Sequence, residues 1–261
     1  IIARAHHSKG SRRILTIFIE DPAIHRINII ASRYADYVTT NDVATIPSYQ
    51  EQFKADGKNP DNIYWQPVLL INEKTIEPGE WTGADYDWIF CGYAYHSRVK
   101  FLASILENLK GMKGLVKDLK GLVIGNGYPH KFAEYVEVRP TQTENETMKL
   151  YRKSKVIIVK HRGLNELGEG QTVKAQSVHR GFIESYSGAV VLIDRKPDER
   201  CKDRNFVYYE GDFQSGAEML KHILLRPDIY SISEIRSKQI VWAKEYTFQR
   251  QMPKLLERLK W

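Results

Sequence analysis

The sequence predicts an α/β protein in which parallel sheets are covered by helices, organised as two domains of unequal size. Three observations predict it. Short β-branched runs alternate with segments of helical period, which is the pattern of strand–helix–strand units. A chain of 261 residues is long enough for one large domain or two small ones. A polar stretch without periodicity, 70–85 (LINEKTIEPGEWTGAD), carries Pro78, Gly79 and Gly83 and reads as a linker.

The strands are expected, in order, at Arg13–Ile19, Tyr37–Thr40, Ile63–Gln66, Trp88–Gly92, Leu122–Gly125, Lys155–Lys160, Ala189–Ile193 and Phe206–Tyr209. Helices are expected between them at Ile24–Arg33, Val99–Lys110, Glu144–Lys153, Val178–Ser187 and Ala217–Leu225. Thr143 followed by Glu146 has the spacing of a capping box, and Gly188 is placed to end a helix. The last 30 residues read as helical, and the closing stretch 248–261 is amphipathic despite Pro253. Three strands precede the linker and a full set of βα units follows it. Residues 1–70 therefore read as part of one domain, 71–247 as a complete second domain, and 248–261 as a helix returning to the first.

Composition narrows the classes of function. Lys and Arg number 39 against 32 Asp and Glu, a formal charge of +7, which favours a polyanionic partner. The apolar content of 42% suffices for a core and argues against disorder. Runs such as Val156–Val159 are far shorter than the roughly 18–20 residues of a membrane span. Two cysteines, Cys91 and Cys201, build no disulfide framework, so a reducing cytoplasm is expected. The chain opens on Ile1 without a charged-then-apolar leader, which reads as a start inside a longer protein. His6, His7 and His161 have no companions at ligand spacing, and no metal site is assigned.

Three places could carry chemistry. Glu20 and Asp21 end the first expected strand, where a carboxylate can serve as a general base; the commoner reading is that Asp21 caps the next helix, with Pro22 at its first position. Gly92 closes another strand before Tyr93, Tyr95 and Arg98. Such a glycine lets a ligand approach the backbone, and a helix terminus with an arginine suits a diphosphate, although a plain βα turn explains the same residues. Glu184 lies on a helix before the strand ending in Asp194; it could accept from both hydroxyls of a ribose, and a solvated surface glutamate is the default. Asp85-Tyr86-Asp87 spells a metal–nucleotide pattern but precedes a strand, Gly125-Asn126-Gly127 reads as a turn, and the lysines at 110, 113, 117 and 120 read as a solvated face.

Taken in order, the carboxylates after a strand, the linker, the strand–Gly–helix with Arg98 and the helix with Glu184 resemble the GT-B glycosyltransferases. Within these the chain resembles the phage DNA β-glucosyltransferases and the spore-maturation glycosyltransferase-like family. The resemblance implies two Rossmann-like domains facing across a cleft, the amino-terminal one incomplete here. It implies an inverting transfer of a hexose, glucose first, from a UDP-sugar to a hydroxymethylpyrimidine in DNA. Asp21 or Glu20 would then be the base, and Gly92, Tyr93, Tyr95 and Arg98 would form the phosphate-binding turn, with Tyr95 standing near a position where the phage enzymes carry an arginine. Backbone near Arg139 and Thr141 would read the uracil. Glu184 would bind the ribose, with Arg180 displaced by one residue from the family's arginine and Gly181 in its place. The implied partners are a UDP-sugar and double-stranded DNA, with no membrane, a monomeric state and no defined need for a divalent metal. A glycan or protein acceptor, or a binder without transferase activity, are the alternatives.

Overall fold

The structure is a computed structural model that describes residues 2–6, 12–18, 25–66, 84–110, 119–160, 181–194, 207–209, 213–226 and 232–259. In chain order its strands are β1 (Ile2–His6), β2 (Arg12–Phe18), β3 (Tyr37–Thr40), β4 (Ile63–Trp65), β5 (Tyr86–Cys91), β6 (Gly121–Ile124), β7 (Glu137–Arg139), β8 (Ser154–Val159), β9 (Val190–Ile193) and β10 (Val207–Tyr208). Its α-helices are α1 (His25–Ser32), α2 (Ile46–Ala55), α3 (His96–Lys110), α4 (Glu144–Tyr151), α5 (Phe182–Tyr186), α6 (Phe213–Leu225), α7 (Ile232–Glu245) and α8 (Phe248–Arg258). The described residues fall into two units, one made of 2–66 and 246–259, the other of 84–160 and 181–245.

The first unit is built on the sheet β1-β2-β3-β4, with β1 antiparallel to β2 and the rest parallel. Alternation along the strands sends residues to two faces. On one face Val38 and Ile63 pack with Tyr49 and Phe53 of α2. On the other, Leu15 packs with Leu255 of α8 and Leu259 just beyond it, flanked by Ile17, Tyr37 and Tyr64. Pro253 sits inside α8 without ending it. Pro47 lies in the first turn of α2, where a missing N–H removes no intrahelical bond.

The second unit is a parallel sheet of six strands in the order β10-β9-β8-β5-β6-β7. Its central strands are continuous apolar runs because both faces are covered. Trp88, Phe90, Ile158 and Leu192 face α3 and α6, where Phe101, Leu102 and Leu220 complete a core. The alternate residues Ile89, Ile157 and Val191 are fully buried as well. On that side α7 approaches β9, and the Val191 N–H donates to Gln239 Oε1 at 3.3 Å.

Every expected strand is present, with ends moved by at most two residues. The expected capping box at Thr143 and Glu146 forms in full. Three elements were not anticipated: β1, β7 and α2. The linker 70–85 lies almost wholly outside the described residues, as do Lys113 and Lys117. Asp85 and Asp87 stand at the amino end of β5, paired with Lys153 (2.9 Å) and Lys155 (2.6 Å), which accounts for both carboxylates structurally.

Candidate functional site

In the second unit the chain steps from β5 through β6 to β7 in one direction across the sheet, and from β8 through β9 to β10 in the other. The strand order therefore reverses between β5 and β8. Loops leaving two such strands depart to opposite faces and open a crevice at the carboxyl edge, the usual ligand position in an open parallel sheet.

The register identifies the rim of that crevice. Phe90 pairs with Ile158, Cys91 with Ile124, Val159 with Ile193 and Ile193 with Tyr208. One or two steps further, the same ladders place Gly125, Gly92, Lys160, Asp194 and Tyr209 in a single row. Backbone bonds extend into it: Gly92 N–H donates to the Ile124 carbonyl (2.9 Å), Asp194 N–H to Val159 (3.3 Å) and Tyr209 N–H to Ile193 (3.1 Å).

Around Gly92 the chain is closely apposed. A Cβ on Gly125, whose φ is 150°, would lie 2.0 Å from the Gly92 carbonyl oxygen. Tyr128 donates its hydroxyl to that same oxygen at 2.8 Å, and Ala94 N–H donates to the Asn126 carbonyl at 3.2 Å. The 92–95 and 125–128 loops are thereby held together, and the Gly125-Asn126-Gly127 turn is as expected. Tyr93 is exposed and Tyr95 half-buried.

Arg98 crosses the reversal point. It stands in the first turn of α3 and is only 4% exposed. Its Nε donates to the Lys160 carbonyl at 3.0 Å and its Nη1 to the Tyr93 carbonyl at 3.3 Å, with the guanidinium 5.1 Å from the Tyr95 ring centroid. The side chain thus ties the loop after β5 to the end of β8, a structural task the sequence alone does not disclose. Beside it, Lys160 Nζ and Asp194 Oδ2 form an ion pair at 2.6 Å, with side chains 14% and 4% exposed. Next in the row, Tyr209 stacks on Phe101 at 5.6 Å between centroids. Its buried hydroxyl has no hydrogen-bond partner among the described residues. Burial pushes this phenol well above its ordinary range, and the Asp194 charge adds to the shift.

Glu184 is buried in the first turn of α5, the end of that helix nearest the carboxyl edge of the sheet. Its Oε2 accepts the Gly181 N–H at 2.8 Å. Gly181 has φ 104°, a left-handed conformation that an arginine would adopt only with strain, so an arginine is disfavoured at this position. Among the described residues no other hydrogen bond reaches the Glu184 carboxylate; its carbonyl accepts the Ser187 hydroxyl at 2.6 Å. Arg139 turns its side chain away from the rim, to Glu137 Oε1 (2.6 Å) and the Tyr86 hydroxyl (2.8 Å). Burial raises the Glu137 carboxyl, but the bonds from Arg139 and Tyr86 outweigh it and hold it below the ordinary value. Thr141 N–H already donates to Asn126 Oδ1 at 3.2 Å, so that backbone donor is committed.

Of the expected site residues, the structure brings Gly92, Tyr93, Tyr95 and Arg98 to one loop of the reversal point, Glu184 to a neighbouring helix start and Thr141 to the loop beside Asn126. Glu20, Asp21 and Arg180 lie outside the described residues. Lys160, Asp194 and Tyr209 are the rim residues to which no role was assigned. Their signal was present, because Lys160 and Asp194 each follow an unbroken apolar strand run. No group of three metal-ligating side chains occurs among the described residues, and no described helix is long and apolar enough to cross a membrane.

No family model matches the chain, and no curated protein matches it in sequence. Solved structures do match in fold. A pneumococcal O-GlcNAc transferase, GtfA, in complex with UDP and GlcNAc aligns with a TM-score of 0.61 at 11% identity, over 90% of this chain and 47% of its own. A UDP-forming α,α-trehalose-phosphate synthase from Burkholderia vietnamiensis aligns at 0.62 and 11% identity, over 90% of this chain and 61% of its own. TarM aligns at 0.58 and 13% identity, over 89% of this chain and 45% of its own. The chain thus spans about half to three-fifths of these proteins. The expected fold class, α/β of the GT-B type, is the one found. The resemblance to phage DNA glucosyltransferases in particular gains no support from these neighbours.

Proposed function

We propose that the protein is a glycosyltransferase that holds a UDP-sugar at the carboxyl edge of its six-stranded sheet. The observation that carries this reading is the reversal of strand order between β5 and β8, with Gly92, the start of α3 and the Glu184 turn gathered around it. The UDP and UDP-forming descriptions of two fold neighbours support the donor class. In this reading the diphosphate lies against the Gly92–Tyr95 backbone and the start of α3. Arg98 acts as a positioning residue, Glu184 Oε1 accepts from the ribose, and uracil is read by backbone groups near Arg139 and Thr141 other than the committed Thr141 N–H. Arg180 stands one residue before the Glu184 turn and is assigned to the same nucleotide.

Glu20 or Asp21, two and three residues past the end of β2, would take the proton from the acceptor hydroxyl as it attacks the anomeric carbon. One such displacement inverts the anomeric configuration. For the acceptor, the +7 charge supports a hydroxymethylpyrimidine in DNA, which would have to be extruded from the duplex. A glycan or protein acceptor is the second reading, supported by the presence of an O-GlcNAc transferase and a trehalose-phosphate synthase among the fold neighbours.

The deciding experiment incubates the protein with a panel of UDP-sugars and three acceptors: hydroxymethylated DNA, unmodified DNA and an oligosaccharide–peptide mixture. Mass spectrometry should find a single hexose added to one class, and NMR its anomeric configuration. Transfer to the glycan or peptide alone removes the DNA acceptor. Binding of UDP without transfer to any acceptor removes the enzyme and leaves a binder.

A further inference from the structure

The row Gly92–Lys160–Asp194–Tyr209 contains two features that structure alone does not account for. Asp194 and Lys160 spend a charge pair inside the rim, although an ion pair of this burial contributes little stability relative to apolar packing. Tyr209 keeps a hydroxyl that is buried and, among the described residues, unpartnered, on a ring whose edge is crowded enough that a Cβ on Gly216 would lie 2.7 Å from it. An orphaned buried hydroxyl costs free energy in the state where it is orphaned. The two features are neighbours in the register, and the pair lies beside Gly92, where the strand order reverses.

We propose that Lys160 is a donor-responsive contact: Asp194 holds it when the crevice is empty, the diphosphate of the nucleotide draws it away, and the Tyr209 hydroxyl then donates to the vacated Asp194 oxygen. This rests on the proposed function and names three residues for its donor site. Lys160 already has its carbonyl anchored by Arg98 Nε, so only the flexible side chain has to move. The incoming diphosphate offers several anionic oxygens where Asp194 offers one carboxylate, and charge-assisted bonds to such oxygens are strong. Asp194 is too buried for water to replace the lysine readily, and Tyr209 is the adjacent donor with capacity to spare. Lys160 is the group that touches the ligand; Asp194 and Tyr209 are positioning residues.

The test is calorimetric binding of UDP and of uridine to the full chain. Uridine shares the base and ribose but lacks the diphosphate, so it reports whether the rest of the pocket has survived a substitution. Lys160→Met should weaken UDP binding by roughly tenfold or more and leave uridine binding unchanged. Tyr209→Phe should weaken UDP several-fold with uridine binding and melting temperature undiminished. Asp194→Asn should tighten UDP, because the lysine no longer leaves a charged partner; a merely structural role would give a loss instead. If the native chain binds UDP and the lysine variant binds it equally well, the inference falls while the proposed function stands. Weakening of both ligands by Asp194→Asn also overturns it. A native chain that binds neither UDP nor uridine overturns both.

Discussion

Gly125 shows how narrow the tolerances are at the rim. Its Cα approaches the Gly92 carbonyl so closely that any side chain would force the two loops apart. Gly125→Ala should therefore destabilise the protein by about 2–4 kcal/mol, read as a shift of the denaturant midpoint at constant slope. Because Gly92 is displaced in the process, nucleotide affinity should fall with it. Glu184 gives a second prediction. One oxygen of its carboxylate accepts the Gly181 N–H, and the proposal gives the other to the ribose. Glu184→Gln keeps an acceptor for Gly181 and should retain the fold while losing several-fold in UDP affinity. Glu184→Ala should lose both, with a lower melting temperature and no measurable nucleotide binding.

Elements here are set by a few local devices together with tertiary covering. The start of α4 rests on Thr143, whose Oγ1 accepts the Glu146 N–H while Glu146 Oε2 accepts the Thr143 N–H and hydroxyl. Those bonds from Thr143 hold the Glu146 carboxyl below its ordinary range. A carboxyl depressed in the folded state stabilises above the ordinary carboxylate range, and this contribution disappears as pH falls through the depressed value. Thr143→Ala should cost about 1 kcal/mol at neutral pH, and the difference from the native chain should shrink in acid without disappearing, because the Glu146 N–H bond to Thr143 Oγ1 survives protonation of the carboxyl, as followed by melting across pH. At the opposite end of the chain, Leu255→Ala should cost about 2–5 kcal/mol, because Leu255 fills the face of β2 beside Leu15.

The same elements explain what was legible in the sequence. Buried parallel strands such as 156–159 and 190–193 announce themselves as apolar runs, and the capping box has a fixed spacing. The edge strand β7 has three residues with none fully buried, so it carries no period to detect. The strand β1 mixes alanine, arginine and histidine, and Pro47 interrupts the apolar period of α2 although it stands in that helix's first turn. Of the candidate site, Gly92 is legible as punctuation at a strand end, and Glu184 only through its place in the resemblance, since an acidic residue within a helix has a solvated surface as its default. Lys160 and Asp194 are each legible as the residue closing an apolar run, but their assembly with Tyr209 into one row is not, because it exists only once three strands distant in sequence are laid in register.

At the scale of the molecule, the two units have separate cores and should respond differently to a ligand. Hydrogen exchange with and without UDP should show added protection at 92–98, around 160 and at 181–184. Protection confined to β1–β4 instead would move the donor site out of the six-stranded sheet. If the acceptor is DNA, its binding should weaken steeply with added salt, since a net charge of +7 acts through phosphate neutralisation. A salt-insensitive complex would point to a different acceptor.

The packing of α8 on β2 has a bearing on how the chain matures on the ribosome. Leu15 is made well before the leucines that shelter it, which lie some 240 positions later, beyond the whole of the second unit. The six-stranded unit can finish folding during translation, whereas the first sheet must wait with one greasy side bare until residues 252–259 arrive. Stalled or shortened nascent chains would thus be the form of this protein that chaperones meet most often.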